Sequence, residues 1–145
     1  EIGWLDWMNA KNTVQYMASG GKEYTIADLR LYLEKIARNN DIFLAAYTKV
    51  KNVYIGNLRL YNISECNNSC WYGRLIGNTD YHGQGFGTEF LLAAEKYCLN
   101  YTKVRKLQTT ISRRNVASLL SNIKAGMIVQ RHFEDENLIY CFKEF

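Results

Sequence analysis

The segment that most constrains this chain is residues 75–89, LIGNTDYHGQGFGTE. Apolar, strand-like residues run into a loop with glycine at 83, 85 and 87, and the loop runs into a helical pattern at 88–101. Glycines let successive backbone N–H groups turn toward one point without Cβ clashes. A helix N-terminus beside them adds partial positive charge. The ligand expected there is a phosphate or pyrophosphate. Two familiar phosphate loops do not fit. No Lys follows these glycines, as a P-loop requires. The spacing is G-x-G-x-G on a strand that is not the first, without the acidic residue about 20 positions on that a dinucleotide-binding turn carries.

The rest of the chain alternates element types. Residues 2–17 read as helical or part-helical and rich in aromatics, broken at Gly20-Gly21. Thr25 and Asp28 resemble a capping box ahead of Ile26, Leu29, Leu33 and Ile36, whose spacing predicts a helix over 26–38 with these four on one buried face, ending at Asn39-Asn40. Strands are expected at 42–49, 53–62 and about 69–77, antiparallel because their connections are short. The helix at 88–101 should bury Phe90, Ala94, Tyr97, Cys98 and Tyr101. A strand at 105–111 follows. Asn115 then caps a short helix with an apolar face of Val116, Leu119, Leu120 and Ile123, stopped at Gly126. Strands at 127–133 and 138–144 flank a turn at Glu134–Asn137. The order is that of an α+β domain with a mixed central sheet flanked by helices. At 145 residues and 48% hydrophobic, the chain is read as a single domain, 1–145.

Charge and cysteines narrow the partners. Lys96, Lys103, Arg105, Lys106, Arg113, Arg114, Lys124 and Arg131 lie in a span, 96–133, without one Asp or Glu. A one-sign region suits an anionic partner such as a phosphorylated cofactor. Nucleic acid is not expected, because the aromatics among these residues, Tyr97 and Tyr101, fall on the expected buried face. No apolar run is long enough for a membrane helix, and no membrane partner is expected. Cys66, Cys70, Cys98 and Cys141 include only a lone C-x3-C, and His82 and His132 supply no second ligand pair, so no metal site is expected. Four reduced cysteines suit a cytoplasmic protein. The absence of proline excludes polyproline ligands and cis-proline turns.

A third phosphate loop does fit. His82-Gly83-Gln84-Gly85-Phe86-Gly87 resembles the acetyl-CoA loop [QR]-x-x-G-x-[GA] of the GNAT N-acetyltransferases, with His82 at the Gln/Arg position. Ile76-Gly77-Asn78 resembles the I-G-D that ends the preceding strand in that family. Asn115-Val116-Ala117-Ser118 and Lys124-Ala125-Gly126-Met127 resemble its N-x-x-S…K-x-G-F segment. Trp7-Met8-Asn9 with Val14-Gln15-Tyr16 resembles the start of the branch holding ribosomal-protein alanine and sugar-nucleotide amine acetyltransferases. The resemblance covers almost the whole chain. Relatives usually begin with a strand, so the first strand of the GNAT fold is expected to be missing from the given residues.

The resemblance implies acetyl-CoA as cofactor and direct attack of a primary amine on the thioester. Pantetheine would run along Leu75, Ile76 and Gly77. Pyrophosphate would sit on the N–H groups of Gly83, Gln84, Gly85, Phe86, Gly87 and Thr88, beside His82. Asn115, Ser118, Asn122 and Lys124 would approach the cofactor, with Arg113 and Arg114 near its phosphates. The N–H of Leu75 or Ile76 would polarise the carbonyl. The sequence departs from the family at two points. Trp71 stands where many relatives carry Glu, and Asn122 where many carry a thiolate-protonating Tyr. Ser121 is another candidate acid, and Glu65 and Asp80 are candidate bases. Trp4, Trp7, Tyr16 and Tyr24 are either packing residues or a wall for the acceptor, and Arg59 and Arg74 could face an acidic one. The acceptor implied is an amino-sugar nucleotide; the alternatives are a protein N-terminus, or an acyl-CoA-binding module with little turnover. Pairing of two copies through the C-terminal strands is common in the family.

Overall fold

The computed structural model describes residues 2–17, 22–130 and 135–145. Two short helices, α1 (Ile2–Asn9) and α2 (Lys11–Val14), precede α3 (Ile26–Arg38). Strands β1 (Ile42–Tyr47), β2 (Tyr54–Ser64) and β3 (Ser69–Ile76) form an antiparallel meander. A 3₁₀ turn (Thr79–Tyr81) leads to α4 (Phe86–Tyr101), then β4 (Lys106–Ser112), α5 (Val116–Lys124), β5 (Ile128–Gln130) and β6 (Leu138–Glu144). The six strands form one sheet in the order β1-β2-β3-β4-β6-β5, with β3 and β4 parallel and the other neighbours antiparallel.

Local chemistry sets the breaks. Thr25 accepts from the Asp28 N–H at 3.2 Å while the Asp28 carboxylate accepts from the Thr25 N–H at 2.8 Å, a complete capping box for α3. Asn40, Asn52, Asn62 and Asn68 take φ between 48° and 54°, the left-handed region that asparagine tolerates best after glycine. Asn40 follows the end of α3, Asn52 turns β1 into β2, and Asn68 closes the β2–β3 turn.

The main core lies between the sheet and α4, around Leu58, Leu60, Tyr72, Leu91, Ala94, Cys98, Leu107 and Cys141. A second apolar cluster on the α1–α3 side holds Trp4, Met8, Val14 and Leu29, with Tyr32, Phe43 and Leu75 packed against it. Four expectations need correction. Tyr101, the last residue of α4, is 74% exposed, while Leu91, outside the expected face, is buried. On α5, Val116, Leu120 and Ile123 are exposed and the buried side chain is Asn122. On α3, Ile26 and Leu33 remain exposed while Leu29 and Ile36 are buried. Helix α4 begins at Phe86, two residues earlier than expected. Gly20-Gly21, His132 with the rest of 131–133, the end of the strand expected there, and Glu134 of the turn lie outside the described residues.

Candidate active site

The site begins where sheet pairing stops. Strands β3 and β4 pair only through Ser69–Lys106, Cys70–Leu107 and Trp71–Gln108, yet both continue to Ile76 and Ser112. The unpaired halves border a cavity of about 610 Å³. The Gly77 N–H donates to the Ile55 carbonyl at 3.0 Å, and Leu75 is partnered with Asn57 on β2. Strand alternation therefore turns the backbone groups of Arg74 and Ile76 toward the cavity. Consistently, His82 reaches the Ile76 carbonyl from the loop with Nε2 at 2.7 Å.

The glycine loop closes one end. Gly83 has φ 73° and Gly85 φ 90°, where side chains with a Cβ are strained. Gly85 is the N-cap of α4, and its carbonyl accepts from the Thr88 and Glu89 N–H groups. The N–H groups of the first turn before them have no partner within the helix. A Cβ on Gly83 or Gly85 would meet nothing within 4 Å, so the loop leaves room for an anion as large as a phosphate. Gly77 is required for a different reason. A Cβ there would lie 1.9 Å from the Trp7 ring, which covers this residue. Asn9, two residues on, holds the start of α3 in place by bonding the Tyr24 backbone on both sides, at 2.7 and 2.9 Å.

The opposite wall is α5. The Asn115 side chain accepts from the Ser118 N–H at 3.1 Å. The Asn122 amide donates to the Ser118 carbonyl at 2.8 Å and accepts from the Tyr72 hydroxyl. Burial pushes the Tyr72 phenol up to about 12. Ser121 donates to the Ser118 carbonyl at 2.8 Å and accepts from Arg74. Arg74 also donates to the Gly87 carbonyl, so its guanidinium ties β3 to the first turns of both α4 and α5.

Of the expected cofactor residues, Leu75, Ile76, His82, Gly83, Gly85, Gly87, Thr88, Asn115, Ser118, Asn122 and Lys124 line this cavity, as does Ser121. Gln84, Phe86 and Gly77 do not. The Gln84 side chain turns back to the Asp80 carbonyl, Phe86 packs on Tyr81, and Gly77 lies under Trp7. Glu65 and Asp80 line neither cavity described here. Glu65 sits in the β2–β3 turn beside Lys103 at 3.5 Å, and Asp80 is exposed in the 3₁₀ turn. Trp71 packs against Tyr140 with the rings tilted at 58°. Arg113 donates to the Glu136 carbonyl, and Arg114 is exposed.

A second cavity, of about 530 Å³, lies on the α1–α3 side of the sheet and meets the first at Gly73, Arg74 and Leu75. Trp4, Tyr24, Tyr32 and Phe43 wall it. Arg59 is engaged there by Asp41 at 2.9 Å and by the Tyr32 hydroxyl at 3.1 Å. Tyr72 and Thr109–Ser112 had no sequence signal beyond strand alternation, because their role depends on where β3 and β4 part.

The model of the acetyltransferase (GNAT) domain matches residues 3–128, and the chain belongs to that family. It is therefore an acetyltransferase, with acetyl-CoA as its donor. Solved structures share the fold at low identity. Spermidine N-acetyltransferase from Vibrio cholerae, in complex with CoA and spermine, superposes with a TM-score of 0.82 at 16% identity, over 97% of this chain and 87% of that one. Aminoglycoside acetyltransferase AAC(6')-Ib, in complex with coenzyme A and kanamycin, gives 0.81 at 20% identity over the same shares. A domain from Methanocaldococcus jannaschii gives 0.80 at 14% identity, over 98% and 90%. A search of curated proteins returned no match. Among the described residues, no cluster of three or more His, Cys, Asp or Glu could hold a metal, and no helix is long and apolar enough to cross a membrane.

Proposed function

We propose that the chain transfers acetyl to a primary amine by direct attack, with cofactor in the β3–β4 cleft and acceptor entering from the α1–α3 side. The observation that carries this is the meeting of the two cavities at Gly73–Leu75, where the unpaired edge of β3 begins. Bound acetyl-CoA supplies an activated carbonyl and a thiolate leaving group. Gly83, Gly85 and Gly87 and the N-terminus of α4 hold its phosphates, with Lys124 on the far wall. The Ile76 N–H, turned into the cleft by alternation, is the polarising donor; the phase of the strand disfavours Leu75.

Proton balance needs no side-chain acid. The new C–N bond forms, the C–S bond breaks, one proton leaves nitrogen and one reaches sulfur. Tyr72 donates to Asn122, Asn122 and Ser121 both donate to the Ser118 carbonyl, and the three act as positioning residues. A phenol raised to about 12 is a poor donor to a thiolate of ordinary acidity. Among the described residues no carboxylate lines either cavity, and the amine loses its proton to water. Turnover should then rise with pH along the amine's own titration. Amine-dependent release of free CoA thiol tests the reading. Acetyl-CoA binding without any amine-dependent release would establish the binding module in its place.

Of the two acceptors implied by the family branch, a protein N-terminus suits the second cavity better than an amino-sugar nucleotide. The walls are largely aromatic and aliphatic, and the Arg59 charge is already matched by Asp41.

A further inference from the structure

Among the described residues, the half-buried cations are Arg59, Arg74, Lys106 and Lys143. Arg59 faces the Asp41 carboxylate, Lys106 faces Glu144 at 3.2 Å, and Lys143 is held by Glu95 at 2.5 Å. Arg74 has only neutral partners. Its guanidinium donates to the Gly87 carbonyl, the Ser118 carbonyl at 3.3 Å, the Ser118 hydroxyl at 3.4 Å and the Ser121 hydroxyl. The Tyr72 ring lies 6.0 Å from its Cζ. These contacts replace lost hydration but leave the charge without a counter-ion, which is costly away from water. Gly87 and Ser118 lie in the first turns of α4 and α5, whose free N–H groups add positive partial charge. The other titratable members of the cavity lining are Tyr16, Tyr72, His82 and Lys124, with no carboxylate among them. The surroundings of Arg74 therefore favour an anion that the described residues do not supply.

Position decides which anion. Arg74 is the charged residue that borders both cavities. On the acetyl-transfer reading above, on which this inference rests, the acetyl carbon lies where the cavities meet. Sulfur is the atom before it on an arm that comes from the glycine loop, and the phosphates lie at the far end of that arm. As the C–S bond breaks, its electron pair passes to sulfur. The proton of the amine has gone to water, so no side-chain acid meets the new charge. We propose that the Arg74 guanidinium is the counter-ion of the departing CoA thiolate, a catalytic residue that stabilises the leaving group by charge rather than by proton transfer. The thiolate then takes a proton from water, which closes the balance. Ser121, accepting from Arg74 while donating to the Ser118 carbonyl at 2.8 Å, holds the guanidinium against α5.

The test compares CoA with desulfo-CoA, which carries hydrogen in place of the thiol, by calorimetric titration of the whole chain from about pH 7 to about pH 9.5. A thiol beside a cation ionises at lower pH than a free one, for which about 8.5 is ordinary in cysteine. The affinity of CoA relative to desulfo-CoA should therefore climb with pH across this range, by at least about tenfold. Titration of Tyr16, Tyr72, His82, Lys124 or the phosphates acts on both ligands and cancels in the ratio. Arg74→Gln keeps amide donors without charge. It should flatten the ratio and lower kcat by at least about tenfold, with a smaller change in KM for acetyl-CoA. Arg74→Lys keeps the charge without the planar fork and should retain most of the climb. A flat ratio in the unaltered chain, which needs no variant to fold, would overturn the inference. So would a climb that survives in Arg74→Gln, or an Arg74→Lys ratio as flat as that of Arg74→Gln. Failure of both ligands to bind the unaltered chain would instead overturn the reading of the cleft as the cofactor site, and this inference with it.

Discussion

At position 85 the backbone itself selects the residue. Gly85 combines φ 90° with the N-cap position of α4 and an open side facing the cleft. Asparagine already occupies the left-handed region at four places in this chain, so Gly85→Asn is the mildest available replacement. Gly85→Asp has the same shape and adds a negative charge. As an N-cap, aspartate favours the helix as much as asparagine does. Against a pyrophosphate the same charge is repulsive by about 2–3 kcal/mol at ~6 Å and an effective dielectric near 20. The two variants should therefore melt together while CoA affinity falls at least about tenfold further in Gly85→Asp. Calorimetric titration at low salt reads the difference. Equal affinities would move the phosphate site away from the start of α4. This loop was legible in the sequence because its demand is local: alternate glycines and a following helix. Gln84 and Phe86 were not separable from it by sequence. Within one loop, which N–H groups face the cleft depends on the φ of their neighbours, and their side chains turn to Asp80 and Tyr81.

At the scale of elements, α3 is the piece whose stability bears on the acceptor. It carries Leu29 and Tyr32 into the second cavity, and its first turn is held by the capping box of Thr25 and Asp28. Thr25→Ala should cost about 1 kcal/mol, measured by urea denaturation. The Asp28 carboxyl is held well below its ordinary value of 3.8, first by the hydrogen bond from Lys22 and then by those from Thr25. A lowered folded-state pKa means the carboxylate is the form that the fold prefers. Its contribution is complete above about pH 4 and is lost as pH falls through and below that range. Asp28→Asn should make the acid limb of the stability profile shallower, and a limb of unchanged slope would deny the box a role. The periodicities of α3 and of the β1–β3 meander were legible because caps, turns and alternation are short-range. The buried face of α5 was not. Its apolar stripe of Val116, Leu120 and Ile123 is exposed, and a polar residue, Asn122, is buried because Tyr72 on another element satisfies it.

For the molecule as a whole, the cofactor cleft is a gap in the sheet, and nothing in a sequence marks where two parallel strands stop pairing. That is why Tyr72 and the end of β4 joined the site only once β3 and β4 were seen to part after Trp71 and Gln108. The gap also fixes what a ligand does to stability. Among its walls are β3, the start of α4, β4 and α5, and direct ties across it run through Arg74, the Tyr72–Asn122 pair and the Thr88 hydroxyl, which donates to the Ser121 carbonyl at 3.2 Å. A ligand that touches all four walls adds ties that the unfolded chain cannot make. At 100 times its Kd it stabilises the fold by about 2.7 kcal/mol. For a chain of 145 residues that corresponds to a rise in Tm of roughly 5–10 °C. Acetyl-CoA should produce this shift in scanning calorimetry. Pantetheine, which lacks the phosphates, should produce far less at the same concentration, because it leaves the glycine loop and the α4 N-terminus unfilled. ATP and NADH bring phosphates without an arm to enter the cleft and should also fall short. Equal shifts from pantetheine and acetyl-CoA would show that the loop contributes nothing to binding. Shifts of the same size from all the nucleotides would show that charge alone is being read.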